Sequence, residues 1–188
     1  MNVESWKKLE SRALWLLEHP DQSPPRDTTR GMALQLRLWR YRRSGPHVSW
    51  GILLSARDYR TRPGVVREMS WDRLKDWKDR RTPLEALKRR QVEEPAILIR
   101  DAELRWDELE PHVDRLAGLR PLSLVSDPAF PGEDVFGLEG YRSLAHVRLQ
   151  WNGKGPRAWG EGVAWIGRLR TLLIRALRER ERSEPGAV

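Results

Sequence analysis

Cysteine is absent from the 188 residues, which removes disulfides, thiolate nucleophiles and Cys-ligated zinc or iron–sulfur centres from consideration. A reducing compartment suits such a chain. Long apolar runs are missing as well. The run from Ala13 to Leu17 is too short for the core of a signal peptide, and nothing approaches the ~20 apolar residues that a membrane span requires. The expected location is therefore cytoplasmic, with no membrane partner. Histidine is sparse: His19, His47, His112 and His146 stand singly, without a His-Glu-x-x-His helix or a zinc-finger spacing, so no metal site is expected. No serine sits in a Gly-x-Ser-x-Gly elbow, and Gly153, Lys154 and Gly155 lack the spacing of a phosphate-binding loop, which leaves no cofactor to expect.

What the chain has is tryptophan and arginine. Ten tryptophans and a 39% hydrophobic content argue for a packed core, while charged residues at 33% leave a highly charged exterior. Of the 35 basic residues only six are lysine, leaving 29 arginines, the cation that binds carboxylate and phosphate in bidentate fashion and stacks on rings. The net charge of +8 is unevenly spread. Residues 31 to 90 carry 16 basic against 6 acidic side chains, and residues 91 to 150 carry 6 against 12.

The patterning predicts one α+β domain over residues 1–188, built as an antiparallel-rich sheet of about five strands packed by N- and C-terminal helices, with a middle helical pair. Residues 1–30 give an amphipathic helix, with Trp6, Leu9, Ala13, Leu16 and Leu17 inward, and a proline-rich loop. Residues 31–71 form a basic β-meander. There Met32, Leu34, Leu36 and Leu38 alternate with Gln35, Arg37, Trp39 and Tyr41, and a second strand follows after Ser44, Gly45 and Pro46. Residues 72–120 hold helices around a strand whose run from Ala96 to Ile99 reads as central. Thr82 and Pro83 open a second helix there, and Pro111 is placed in the first turn of a third. Residues 121–155 give a brief strand at 121–126, an irregular loop at 127–137 and a last strand from Tyr141 to Trp151. Residues 156–182 make the final helix, with Trp159, Val163, Ile166, Leu169, Leu173 and Leu177 inward, and 183–188 a tail.

For function, this reading favours a non-enzymatic protein-binding module with a protein partner, of the kind a small bacterial immunity (toxin-neutralising) or accessory protein would be. Trp, Tyr and Arg are the residues that anchor interfaces, and adjacent regions of opposite sign favour docking. The alternative partner is a nucleic acid, met by Arg37, Trp39, Arg40, Tyr41, Arg42 and Arg43 of the hairpin together with Arg57, Arg60 and Arg62 of the basic turn, through phosphate contacts and base stacking. Against that, a helix laid over Trp39 and Tyr41 would remove them from any partner, and this covered arrangement is the one expected. The weaker, catalytic alternative is a metal-dependent nuclease using Asp101 and Glu103, two apart on a strand and so on one face. The sequence does not address oligomeric state.

Overall fold

The computed structural model describes residues 3–23, 29–55, 57–58, 60–81, 94–117, 134–142 and 145–183. The predicted helix at 82–91, strand at 121–126 and the loop up to 133 lie outside the described residues, as does the tail beyond 183. The elements in chain order are α1 (Val3–Glu18), β1 (Met32–Tyr41), β2 (His47–Ser55), β3 (Gly64–Trp71), α2 (Arg73–Arg81), β4 (Ile97–Leu104), α3 (Trp106–Ala117), β5 (Val135–Arg142) and β6 (Ala145–Asn152). A 3-10 turn (Arg157–Trp159) then leads into α4 (Gly160–Ser183). The fold is α+β, with one antiparallel sheet in the order β4-β3-β2-β1-β5-β6. Among the described residues the sheet has six strands, against about five expected. Among the described residues no helix is long and apolar enough to cross a membrane.

Each face of the sheet carries one of the amphipathic terminal helices. α4 covers the face made by Leu38, Trp50, Ile52, Val66, Ala102, Leu104 and Leu138, burying Trp165, Leu169, Leu173 and Leu177 in the same cluster. The predicted stripe is correct for Leu169, Leu173 and Leu177 and missed Trp165, which is 1% exposed. α1 covers the other face, where Trp6, Leu9, Ala13 and Leu17 pack on Met69 and Trp71. α2 is fixed beneath α1 by Asp76, whose carboxylate accepts hydrogen bonds from Trp71 Nε1 at 2.9 Å, Arg80 Nε at 2.7 Å and the Ala96 backbone N–H at 3.1 Å.

Four departures from the sequence reading have physical causes. In β1 the register slips between Leu34 and Leu36, a bulge that sends Leu34 to the α1 side with Leu53 and Val65 while Leu38 stays on the α4 side. The four alternating apolar residues therefore do not share a face. β4 is an edge strand and not a central one, with Leu98 52% exposed; an unbroken apolar run describes burial of both faces, and here Ala96 and Leu98 are exposed to water. β5 occupies part of the expected irregular loop, because its glycines serve close packing, as described below. Pro111 is the sixth residue of α3 and lies beyond the first turn. Its surroundings are exposed, so water can serve the carbonyl that loses its donor.

Candidate functional site

A row of aligned positions crosses the six strands on the α1 side, charged on every strand but β2, where it is glycine. The register sets Arg148 of β6 opposite Glu139 of β5, Glu139 opposite Arg37 of β1, Arg37 opposite Gly51 of β2, Gly51 opposite Arg67 of β3, and Arg67 opposite Asp101 of β4. Such neighbours in an antiparallel sheet interact directly. Arg37 and Arg67 are 0% and 1% exposed, which demands that each guanidinium be paired and its donors used. Arg37 donates through Nε and Nη2 to Glu139 Oε2 at 2.9 and 2.6 Å, and through Nη1 to the carbonyl of Leu17 at 3.3 Å. Arg67 makes a bidentate pair with Asp101, both bonds at 2.8 Å, and donates to the carbonyl of Pro20 at 3.1 Å and to Thr29 at 3.2 Å.

Arg37 thus ties the C-terminal end of α1 to the sheet through the Leu17 carbonyl, a group that a helix end leaves without an intrahelical donor, and Arg67 ties down the turn that follows through the carbonyl of Pro20. Gly51 between them makes room. A Cβ there would stand 2.8 Å from Pro20 Cγ, so the turn after α1 can lie on β2 only because that position has no side chain.

Beside α1 the row opens towards solvent. Glu139 Oε1 meets His146 Nε2 at 2.7 Å, and Arg148 approaches the same oxygen at 3.9 Å while donating to Glu18 at 3.0 Å. His146 and Arg148 are 55% and 45% exposed by side chain, against 5% for Glu139. Burial pushes the Glu139 carboxyl up, but hydrogen bonds from Arg37, Tyr141 and His146, with the charge of Arg37, outweigh it and hold the group below the usual carboxylate range. Burial and the bond to Glu139 raise the Tyr141 phenol to about 12. Tyr141 stacks on His146 with ring centroids 5.0 Å apart.

The nine residues expected to meet a partner fall into three groups. Arg37, Trp39 and Tyr41 share the covered face: Trp39 is 2% exposed and lies between the guanidinium groups of Arg37, 4.2 Å from its ring centroid, and Arg148, at 5.2 Å. Being buried, Arg37 and Trp39 are closed to any partner of the folded chain, Trp39 beneath strand side chains, while Tyr41 is half-buried. Arg40 and Arg42 reach the carboxylate of Asp134, at 2.6 and 3.9 Å, and Arg43 beyond them is exposed. Arg57, Arg60 and Arg62 are exposed at the opposite end of β2, about 25–30 Å from Arg43 for a nine-residue strand. The hairpin and the basic turn are therefore separate regions of the surface.

Of the two acids considered for metal chemistry, Asp101 has both oxygens occupied by Arg67, and Glu103 is exposed. Among the described residues no group of three His, Cys, Asp or Glu side chains is placed to hold an ion together.

The outer edge of β6 emerges from the structure and not from the sequence. β6 ends the sheet and pairs only with β5, so one side of its backbone presents N–H and C=O groups with no strand beside them among the described residues. Its side chains alternate: His146 and Arg148 lie on the α1 side, and Val147, 55% exposed, on the other. The last strand expected from Tyr141 to Trp151 is divided between two: Tyr141 ends in β5, which begins within the expected loop, and β6 runs from Ala145 antiparallel to it, so the edge position was not legible in the sequence. No family model matches the chain, and neither a curated protein nor a solved structure matches it.

Proposed function

We propose that this chain is a non-enzymatic protein-binding module that takes an extended, acidic segment of a partner protein along the outer edge of β6. The observation that carries the reading is that open edge, with exposed Val147 on one face and Arg148 and His146 on the other. Strand addition supplies affinity through the backbone and specificity through alternate side chains. A partner strand would set acids beside Arg148 and an apolar residue beside Val147. A second copy of the chain fits less well, since antiparallel pairing about the middle of β6 would bring Arg148 against His146 or its own counterpart with no acid across from it.

A masking role, as in a small bacterial immunity or accessory protein, suits a surface that grips without chemistry. The division of the basic residues also weighs for protein over nucleic acid: Arg40 and Arg42 are engaged by Asp134, and the arginines of the basic turn lie at the far end of β2. The test uses eight-residue peptides of alternating sequence. Glu/Val peptides should bind and Lys/Val peptides should not. Arg148→Gln, which keeps the side-chain stem over Trp39 and removes the charge, should weaken the Glu/Val peptide about three- to tenfold. Equal affinity for the two peptides, or an unchanged affinity in the variant, overturns the reading.

A further inference from the structure

α3 and α4 lie antiparallel across a groove, and the residues that face one another form three rungs. At one end Arg175 Nη2 donates to Glu108 Oε1 at 2.8 Å. At the other Arg115 pairs with Glu161. Helical spacing from Glu108 to His112 to Arg115 on α3, and from Glu161 to Arg168 to Arg175 on α4, puts His112 and Arg168 on the middle rung. There the pattern changes, since the cation meets an imidazole where each outer rung has a carboxylate. Arg168 is exposed and has no acidic partner among the described residues. Burial and the charge of Arg168 both lower the proton affinity of His112, which favours the neutral ring at pH 7 and leaves the guanidinium as the net charge of the rung.

The groove opens on both sides of this rung. A hollow of about 460 Å³ lies towards Arg175 and one of about 350 Å³ towards Arg115, with Pro111, His112 and Arg168 lining both. Leu172 lines the larger and Trp165 the smaller. Trp165 is fixed, because its Nε1 donates to the carbonyl of His112 at 3.0 Å. The larger hollow shows more apolar than polar surface, and Arg168 is the one charged residue of its lining without an ion-pair partner among the described residues, since Glu108 holds Arg175 and Arg105 holds Asp107.

We propose that the larger hollow of this groove binds a small organic monocarboxylate, whose carboxylate pairs with Arg168 to complete the middle rung and whose apolar body lies along Pro111 and Leu172. The charge count selects a monoanion. Asp107 and Glu108 line the larger hollow with Arg168 and Arg175; Glu108 balances Arg175 and Arg105 balances Asp107, which leaves the single charge of Arg168, so a second negative charge on the ligand would face carboxylates without a cation. This site is separate from the β6 edge and stands or falls without it.

The probe is 4-phenylbutyrate, titrated into the ¹⁵N-labelled full chain. A ligand of that size should bind with a dissociation constant of about 1 mM and shift the amides around His112 and Arg168. The uncharged amide, 4-phenylbutyramide, should bind at least tenfold more weakly. Arg168→Gln should lose as much affinity for the acid as the amide does for the native chain, whereas Arg57→Gln, at an exposed arginine of the basic turn, should lose none. Saturation not reached by about 10 mM, equal binding of acid and amide, or full affinity in Arg168→Gln would each overturn the assignment.

Discussion

Arg37 and Glu139 occupy positions in the sheet where an apolar pair would satisfy the core at lower electrostatic cost, and their partners explain how the chain tolerates them. The Arg37 guanidinium donates to the Glu139 carboxylate, the Tyr41 phenol and the Leu17 carbonyl of α1. Removing the charge of Glu139 while keeping its shape, as Glu139→Gln does, leaves Arg37 buried without a counterion. The expected loss is about 3–5 kcal/mol in urea unfolding, with an unchanged dependence on denaturant. Combining it with Arg37→Met should recover part of that loss, a coupling that a double-mutant cycle measures. Because the native carboxyl titrates below its ordinary value, the unfolded chain binds more protons in that range. The contribution of Glu139 is therefore complete above about pH 4.5 and disappears as pH falls through the lowered native value. The Gln variant should lose this part of the acid-side slope, and a slope identical to that of the native chain would contradict the role given to Glu139.

At the scale of elements, Gly137 shows why part of the fold was hidden in the sequence. A Cβ there would stand 1.9 Å from Trp39 Cζ2, so β5 can pair with β1 only if the indole lies across a residue without a side chain. Gly137→Ala should cost about 1–3 kcal/mol through displacement of Trp39, read as a lowered thermal midpoint. A midpoint within a degree of the native one would refute the close packing. Glycine and proline between residues 128 and 137 read as loop signals, and only the partner strand reveals that Gly137 is a packing device within a strand.

The helices were easier, because α1 and α4 carry their apolar stripes in local order and need no knowledge of what they cover. The hairpin of β1 and β2 was legible for the same reason, but the bulge at Gln35 was not: alternation continues across it, and the switch of face follows from pairing. The place of β4 at the edge and the open side of β6 are properties of strand order, which local pattern does not encode. Arg67 gave no signal of its own, since in the sequence it looks like an ordinary solvent-facing alternate of its strand, and Asp101 stood out as a candidate metal ligand and not as the partner of a buried arginine.

Across the whole molecule, charge does two jobs that composition alone merges into a net +8. Inside, Arg37 with Glu139 fastens α1 to the sheet, and Arg67 with Asp101 fastens the segment that follows it. Outside, arginines are distributed over two ends of β2, the middle rung between α3 and α4, and the edge of β6. The proposed function places partner binding at that edge, and hydrogen exchange on the complex with the Glu/Val peptide tests the placement most directly. The account predicts slowed exchange at the β6 amides from 145 to 152, with β4 and the basic turn around Arg57 to Arg62 unchanged. Protection of the basic turn or of β4 with no change in β6 would contradict it.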